Sequence, residues 1–429
     1  MTSSSGTLTA RVRGISSGVG SVALGSLGAR AAGLVSSLAA ASLLGATDFG
    51  RYALLLAATT VIASLGGMGF AAPLTRSVAK ASGSADPGTV PTGAVHVAAA
   101  TLSTLGVATV LLCWPGWGLV ELPGGGDRLS VLAVGIWVVG MGCNPLFVAV
   151  LVGLQEYRGS ALLTSARGVL VAVAVTLACL TVPTAEAAAA ATASAEVVSA
   201  GLAYIWLRRR SVLVPFSRRS WAAGARLLKV GFAAGAVGLA IQTSMWIGQV
   251  LLSRTPDGLA AAGLFLLATR LMLAVTFVPN ALATVVLPRL TRMRGSSRED
   301  PRALSFSYVA LTAGIATVAA LAVTTASIWF APRLDEDYAG NALALALMGV
   351  LAVLISLNNV YGSVVIARGF MGVWIGSDVM LAMALVVSAA ALVGGLGVAG
   401  LALAHVVAYA LSIGVLVIGS RPNTEGALR

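Results

Sequence analysis

The chain has 429 residues, of which 58% are hydrophobic and 10% charged, with a mean hydropathy of +0.94; this composition excludes a soluble domain of this length. A net charge of +12 would point to nucleic acid in a soluble protein. In so apolar a chain the basic residues instead mark loops held on the cytoplasmic side of a membrane, and no nucleic-acid partner is expected.

A backbone in lipid must satisfy its polar groups internally, and without barrel-like alternation only helices do so. About 20 apolar residues cross a bilayer. Twelve such spans are predicted, near 18–44, 52–74, 91–113, 129–153, 160–182, 187–207, 230–252, 260–288, 304–330, 340–366, 371–395 and 397–419. Residues 1–17, polar with Arg11 and Arg13, lack the short apolar core of a cleavable signal, and the first helix after them is read as the start of the bundle. The first span carries one arginine, Arg30, and Ser26, Arg30, Gly33 and Ser37 recur at helical spacing, placing it in a polar stripe. A turn over 45–50 leads to the second span, which opens at Arg51-Tyr52 and ends at Pro73-Leu-Thr-Arg76. Cys113, Cys143 and Cys179 lie in or beside apolar runs without metal-ligand spacing and are read as small core residues, so no metal or cofactor is expected.

With the N-terminus inside, the cytoplasmic segments hold 20 of the Lys and Arg residues and the outer segments hold 4, namely Arg51, Arg128, Arg254 and Arg333. This bias sets a topology with both termini cytoplasmic. The longest cytoplasmic connection, residues 208–229, alternates basic residues with Val, Leu, Phe and Trp and reads as an interfacial linker against anionic lipid. It separates two six-helix lobes, residues 1–207 and 230–429. The lobes echo each other: Pro73-Leu-Thr-Arg76 ends span two and Pro288-Arg-Leu-Thr-Arg292 ends span eight, and Arg30 has a counterpart in Arg270. Parallel repeats of this kind enclose a site between two lobes. The fold expected is an all-α polytopic membrane protein of about twelve helices around a central cavity.

Residues 28–76 resemble the N-terminal signature of bacterial polysaccharide flippases, members of the multidrug/oligosaccharidyl-lipid/polysaccharide exporter superfamily. The resemblance is carried by Leu44-Gly45, Asp48-Phe49-Gly50 and Tyr52, and in the second half by residues 263–271 with Pro279 and Pro288. It implies a transporter, not an enzyme, that moves a polyprenyl-diphosphate-linked oligosaccharide to the outer leaflet of a bacterial plasma membrane. Glycosyltransferases or a polymerase of the same pathway are the implied partners. Twelve spans favour this branch over the lipid II flippases, which typically carry fourteen. The resemblance also implies that Arg30 and Arg270, each about nine residues or 14 Å into its span, line the cavity. Guanidinium suits diphosphate because it stays charged and binds bidentately.

Further polar residues lie within the spans. Arg167 shares a face with Ser160 and Thr164, and Glu196 shares one with Thr192 and Ser199. Arg167 binds substrate or serves structure; Glu196 pairs with an arginine or takes a proton. Asp378 and His405 are the other candidates for ion coupling, His405 having a packing role as its alternative. Asn144, Gln242 and Gln249, with Gln155, Thr269, Thr276, Asn280 and Thr284, either meet sugar hydroxyls or join helices. Pro73, Pro145, Pro279 and Pro288 are candidate bends. Competing functions are a cation-coupled drug or small-molecule exporter of the same superfamily, or a membrane polymerase or glycosyltransferase. The acidic run Asp335-Glu336-Asp337 is too short a connection to supply an enzyme's site and reads as a solvated turn.

The topology is checked by reporter fusions: one after Arg429 should read cytoplasmic and one near Asp337 external. Swapped readings would end the twelve-span orientation.

Overall fold

The computed structural model describes residues 4–67, 70–82, 93–116, 120–122, 127–210, 212–213, 218–277, 301–334 and 341–419. Among the described residues the chain is all helical. The helices are α1 (Ser4–Gly67), α2 (Ala71–Ser82), α3 (Gly93–Cys113), α4 (Arg128–Gly153), α5 (Tyr157–Thr181), α6 (Ala185–Arg209), α7 (Arg218–Ser253), α8 (Gly258–Val275), α9 (Pro301–Leu334), α10 (Ala342–Ala367) and α11 (Met371–Gly419). Nine of the described helices are long and apolar enough to cross a membrane, so this is a multi-pass membrane protein.

The expected spans map onto these helices with several corrections. The turn expected over 45–50 is a kink at one residue, Gly45, with φ 72° and ψ 169°, inside an otherwise helical α1. Spans eleven and twelve follow each other within α11 and break at Gly397, with φ 52°, where the sequence puts their boundary. Only glycine adopts such angles without strain, so each kink is made at a single residue. The second span stops at Gly67 rather than near Pro73. Pro73 instead lies in the first turn of the separate helix α2, where its missing N–H costs no hydrogen bond. Within the connection expected over 208–229, α7 already begins at Arg218, and its membrane-spanning stretch is Gly235–Ser253. Span eight is described to Phe277; Pro279, Asn280, Thr284, Pro288 and Asp335-Glu336-Asp337 lie outside the described residues.

The chain divides into two compact units, Met1–Gln242 and Thr243–Arg429. In the first, α5 is apolar on the outside and polar within. Leu162, Val169, Val173, Leu177 and Leu180 form an exposed stripe at helical spacing, as a lipid-facing surface requires. The opposite face packs on α1 through small residues. A Cβ on Gly25 would lie 2.5 Å from Ala161 Cα, and one on Gly168 would lie 2.7 Å from Ala29 Cα. Ser165 Oγ donates across the seam to the Gly25 carbonyl at 3.1 Å. Close approach of small residues gives the dispersion contact that holds helices together where lipid offers no hydrophobic drive.

The residues of the α1 kink serve packing. Phe49 is fully buried. Its ring stacks on Tyr52 at 6.3 Å, and Tyr52 stacks on Trp137 of α4 at 5.9 Å. The Tyr52 hydroxyl meets Thr192 Oγ1 of α6 at 3.1 Å. Asp48 pairs with Arg51 at 3.3 Å on the turn after the kink.

In the second unit α8 packs against α9, α10 and α11. Val275, Ala320 and Ala352 form a buried cluster there, with Met272, Val323 and Val353 against it. Ser412 Oγ donates to Asn358 Oδ1 at 2.9 Å between α11 and α10.

Gly25→Ala should force α1 and α5 apart and lower the melting temperature in detergent, at a cost of about 1–3 kcal/mol. Gly33→Ala, whose new methyl meets nothing within 4 Å, should leave it unchanged or slightly raised. Equal effects of the two substitutions would contradict the seam.

Candidate functional site

The first unit holds a cleft of about 450 Å³ between α1, α2, α4 and α5. Its polar lining is Ser26 of α1, Thr75 of α2, Asn144 of α4, and Ser160, Thr164 and Arg167 of α5. Each helix contributes for a local reason. Ser160, Thr164 and Arg167 are successive residues on the α5 face turned away from lipid. Thr75 comes within reach because α2 packs closely on α4: a Cβ on Gly153 would lie 2.9 Å from the Thr75 carbonyl oxygen. Thr75 Oγ1 donates to the Ala149 carbonyl at 3.1 Å. Pro145, also in the lining, has no N–H to give to the carbonyl of Met141, and so opens α4 beside the cleft.

Arg167 is the charged residue of this lining, and it is tied to Glu196 of α6. Its Nε donates to Glu196 Oε2 at 2.7 Å and its Nη2 to Oε1 at 2.6 Å, a bidentate pair. The Arg167 side chain is 32% exposed and that of Glu196 only 5%. Asn144 Nδ2 donates to the same Oε2 at 2.7 Å and to the Glu196 carbonyl at 3.1 Å. Asn144 Oδ1 accepts from Ser199 Oγ at 3.2 Å. This tight meeting of α4 and α6 needs Gly140, where a Cβ would lie 2.7 Å from the Glu196 backbone carbon. Five helices, α1, α2, α4, α5 and α6, therefore converge on one cation, one carboxylate and a ring of hydroxyl and amide groups. Such a site can hold an anion flanked by hydroxylated groups.

The structure brings together Asn144, Arg167 and Glu196 of the sequence candidates. Arg30 is half-buried on α1, one turn beyond Ser26. Gln242 and Gln249 are partly buried on α7, and Arg270 is partly buried on α8. Asp378 and His405 are buried on α11 in the second unit. His405 Nδ1 lies 2.8 Å from the Leu401 carbonyl oxygen, with its ring 5.3 Å from that of Phe265. Gln155 stands at the end of α4 with φ 61°, in the turn before α5. Sequence reasoning missed Thr75, because Pro73 was read as the end of a span, and it missed the joining of Asn144 to Glu196. Among the described residues no three His, Cys, Asp or Glu side chains group as metal ligands.

The sequence pattern of the family described as "Polysaccharide biosynthesis protein" matches residues 15–294. The chain belongs to this family. No curated protein matches it in sequence. Solved structures share its fold at low identity. The lipid II flippase MurJ in an inward closed conformation aligns with TM-score 0.75 and 11% identity, covering 93% of this chain and 87% of that one. The MATE multidrug transporter DinF-BH, in complex with R6G, aligns with TM-score 0.68 and 15% identity, covering 95% and 94%. A MOP superfamily transporter from Pyrococcus furiosus, described as having a binding pocket of reverse polarity, aligns with TM-score 0.61 and 17% identity, covering 94% and 93%. This member of the polysaccharide biosynthesis family thus has the fold of the MOP superfamily transporters.

The ion pair makes an asymmetric prediction. Arg167→Ala strands a buried carboxylate and should destabilise the protein by about 3 kcal/mol. Glu196→Ala should cost less, because the guanidinium can turn into the cleft. Adding Glu196→Gln to Arg167→Ala should recover part of the loss. Thermal melting in detergent checks the order; three equal losses would contradict it.

Proposed function

We propose that the protein is a transporter that flips a polyprenyl-diphosphate-linked oligosaccharide from the cytoplasmic to the outer leaflet of a bacterial plasma membrane by alternating access, with both termini cytoplasmic. The observation that carries this reading is the cleft of the first unit, lined by one arginine and by hydroxyl and amide groups, in a chain of the polysaccharide biosynthesis family. A diphosphate asks for a guanidinium, which is always charged and forked. A sugar asks for hydroxyl and amide partners at close range. A pocket for organic cations would be lined by carboxylates, and the acid bonded to this lining, Glu196, is paired with Arg167. The chemistry is that of a carrier, and the polymerase and glycosyltransferase readings gain no support from it.

In this proposal Arg30 and Arg270 grip the diphosphate, Arg167 adds a contact from the cleft, and Asn144, Gln242 and Gln249 meet the sugar. Glu196, Asp378 and His405 are the candidates for ion coupling. Glycosyltransferases or a polymerase of the same pathway are the proposed partners, supplying or consuming the cargo at the two membrane faces.

Arg30→Ala or Arg270→Ala removes a charge-assisted contact worth about 1.5–3 kcal/mol. Flipping of a labelled diphosphate-linked lipid in vesicles should fall about tenfold or more, while the melting temperature stays near that of the parent. Arg→Lys at either site should rescue only part of the rate. Normal flipping by a well-folded Arg30→Ala/Arg270→Ala double variant would remove both residues from the site.

A further inference from the structure

At one end of the first unit α5 and α6 are joined by a clasp. Glu156, just before α5, accepts from Arg210 Nη1 at 2.6 Å. The Arg210 guanidinium lies over the Trp206 ring of α6, 4.7 Å from its centroid. Trp206 in turn fills the space beside Gly159 of α5, where a Cβ would lie 2.6 Å from Trp206 Cη2. Three more arginines stand at this end, Arg158 of α5 and Arg208 and Arg209 of α6, and all are exposed. No acid among the described residues pairs with any of them. Each ends a stripe of apolar residues turned to lipid. Arg158 lies one turn before Leu162, where the exposed stripe of α5 begins. Arg208 and Arg209 lie one turn beyond Ile205, which with Leu202, Val198 and Val197 forms the exposed stripe of α6. Gly201 notches that stripe, since a Cβ there would meet nothing within 4 Å.

We infer that the α5–α6 seam binds an anionic phospholipid, with its phosphodiester among Arg158, Arg208 and Arg209 and its acyl chains along the two stripes. Cations at the end of apolar stripes call for a ligand that is anionic at one end and hydrocarbon along its length. A soluble anion or an acidic protein meets the charges and leaves the stripes uncovered. A zwitterionic lipid covers the stripes but brings its own cation. Basic groups at the end of a span attract anionic lipid for this reason. In the proposed orientation the lipid is drawn from the cytoplasmic leaflet. The site is separate from the cleft and does not depend on the cargo: Arg167 lies nine residues along α5 from Arg158, roughly 14 Å. A lipid bridging α5 and α6 also steadies the helix pair that carries Arg167 and Glu196.

The test uses the purified full chain in a neutral detergent, titrated with phosphatidylglycerol or phosphatidylcholine. Mass spectrometry of the intact protein counts bound lipid, and the melting temperature is followed in parallel. Phosphatidylglycerol should fill a saturable site and raise the melting temperature; phosphatidylcholine should do neither. Changing one of the three arginines to glutamine should weaken binding about fivefold, and changing all three about a hundredfold. The variant Arg76→Gln/Lys80→Gln is the control. It removes two exposed charges from α2, whose Val78 packs on Gly153 at this same end of α4, and it should bind as the parent does. Equal retention of the two lipids, full affinity in a folded triple variant, or an equal loss in the control would overturn the site. If the triple variant fails to fold, competition on the parent decides. Bound phosphatidylglycerol should withstand inorganic phosphate and polyglutamate, and its displacement by either would contradict the inference, making the occupant a soluble anion or an acidic protein.

Discussion

An ionised side chain away from water is costly, and the first unit meets that cost at Glu196. The Glu196 carboxylate is almost wholly removed from solvent. It survives there because Arg167 supplies two charge-assisted hydrogen bonds and Asn144 a third. Those bonds place demands on the helices. Asn144 reaches Glu196 only because Gly140 lets α4 and α6 approach. Arg167 is held at its depth because α5 lies against α1 along the seam of Gly25, Gly28 and Gly168. Satisfied polar groups and small-residue packing, rather than hydrophobic burial, specify this arrangement.

The Leu44–Tyr52 motif that signals the family serves the scaffold of the first unit. Phe49 and Tyr52 lie in the packed core of the first unit, and Gly45 makes the kink between two spans. Substituting them would disturb the scaffold before touching any ligand. The fold is shared with a multidrug transporter and does not itself set what is carried; in the proposed function the lining of the cleft does. There one guanidinium stands among hydroxyl and amide groups.

Much of this was legible in the sequence, for physical reasons that can be named. Spacing alone put Ser160, Thr164 and Arg167 on one face of α5, and the structure lines the cleft with all three. A lone acid in a membrane helix must find a partner, and Glu196 was recognised as needing one. Which arginine answered it was beyond periodicity, since pairing between α5 and α6 depends on depth and rotation in three dimensions. Asn144 read as a group for sugar or as a joint between helices, and its amide nitrogen makes such a joint to Glu196 while also meeting Gly140. The first break was misjudged, since Gly45 does alone what a turn over 45–50 was expected to do, whereas the break at Gly397 falls where spans eleven and twelve were expected to meet. Thr75 was lost because a proline that can open a helix was read as one that ends it.

The central claim is that the cargo is an anionic, lipid-linked sugar. It is tested most directly by the unmodified protein in vesicles offered two substrates, a labelled polyprenyl-diphosphate oligosaccharide and a fluorescent organic cation. Flipping of the lipid-linked sugar, unaffected by excess cation, is the expected result. Transport of the cation with no movement of the lipid-linked sugar would contradict the account and make the protein a drug exporter.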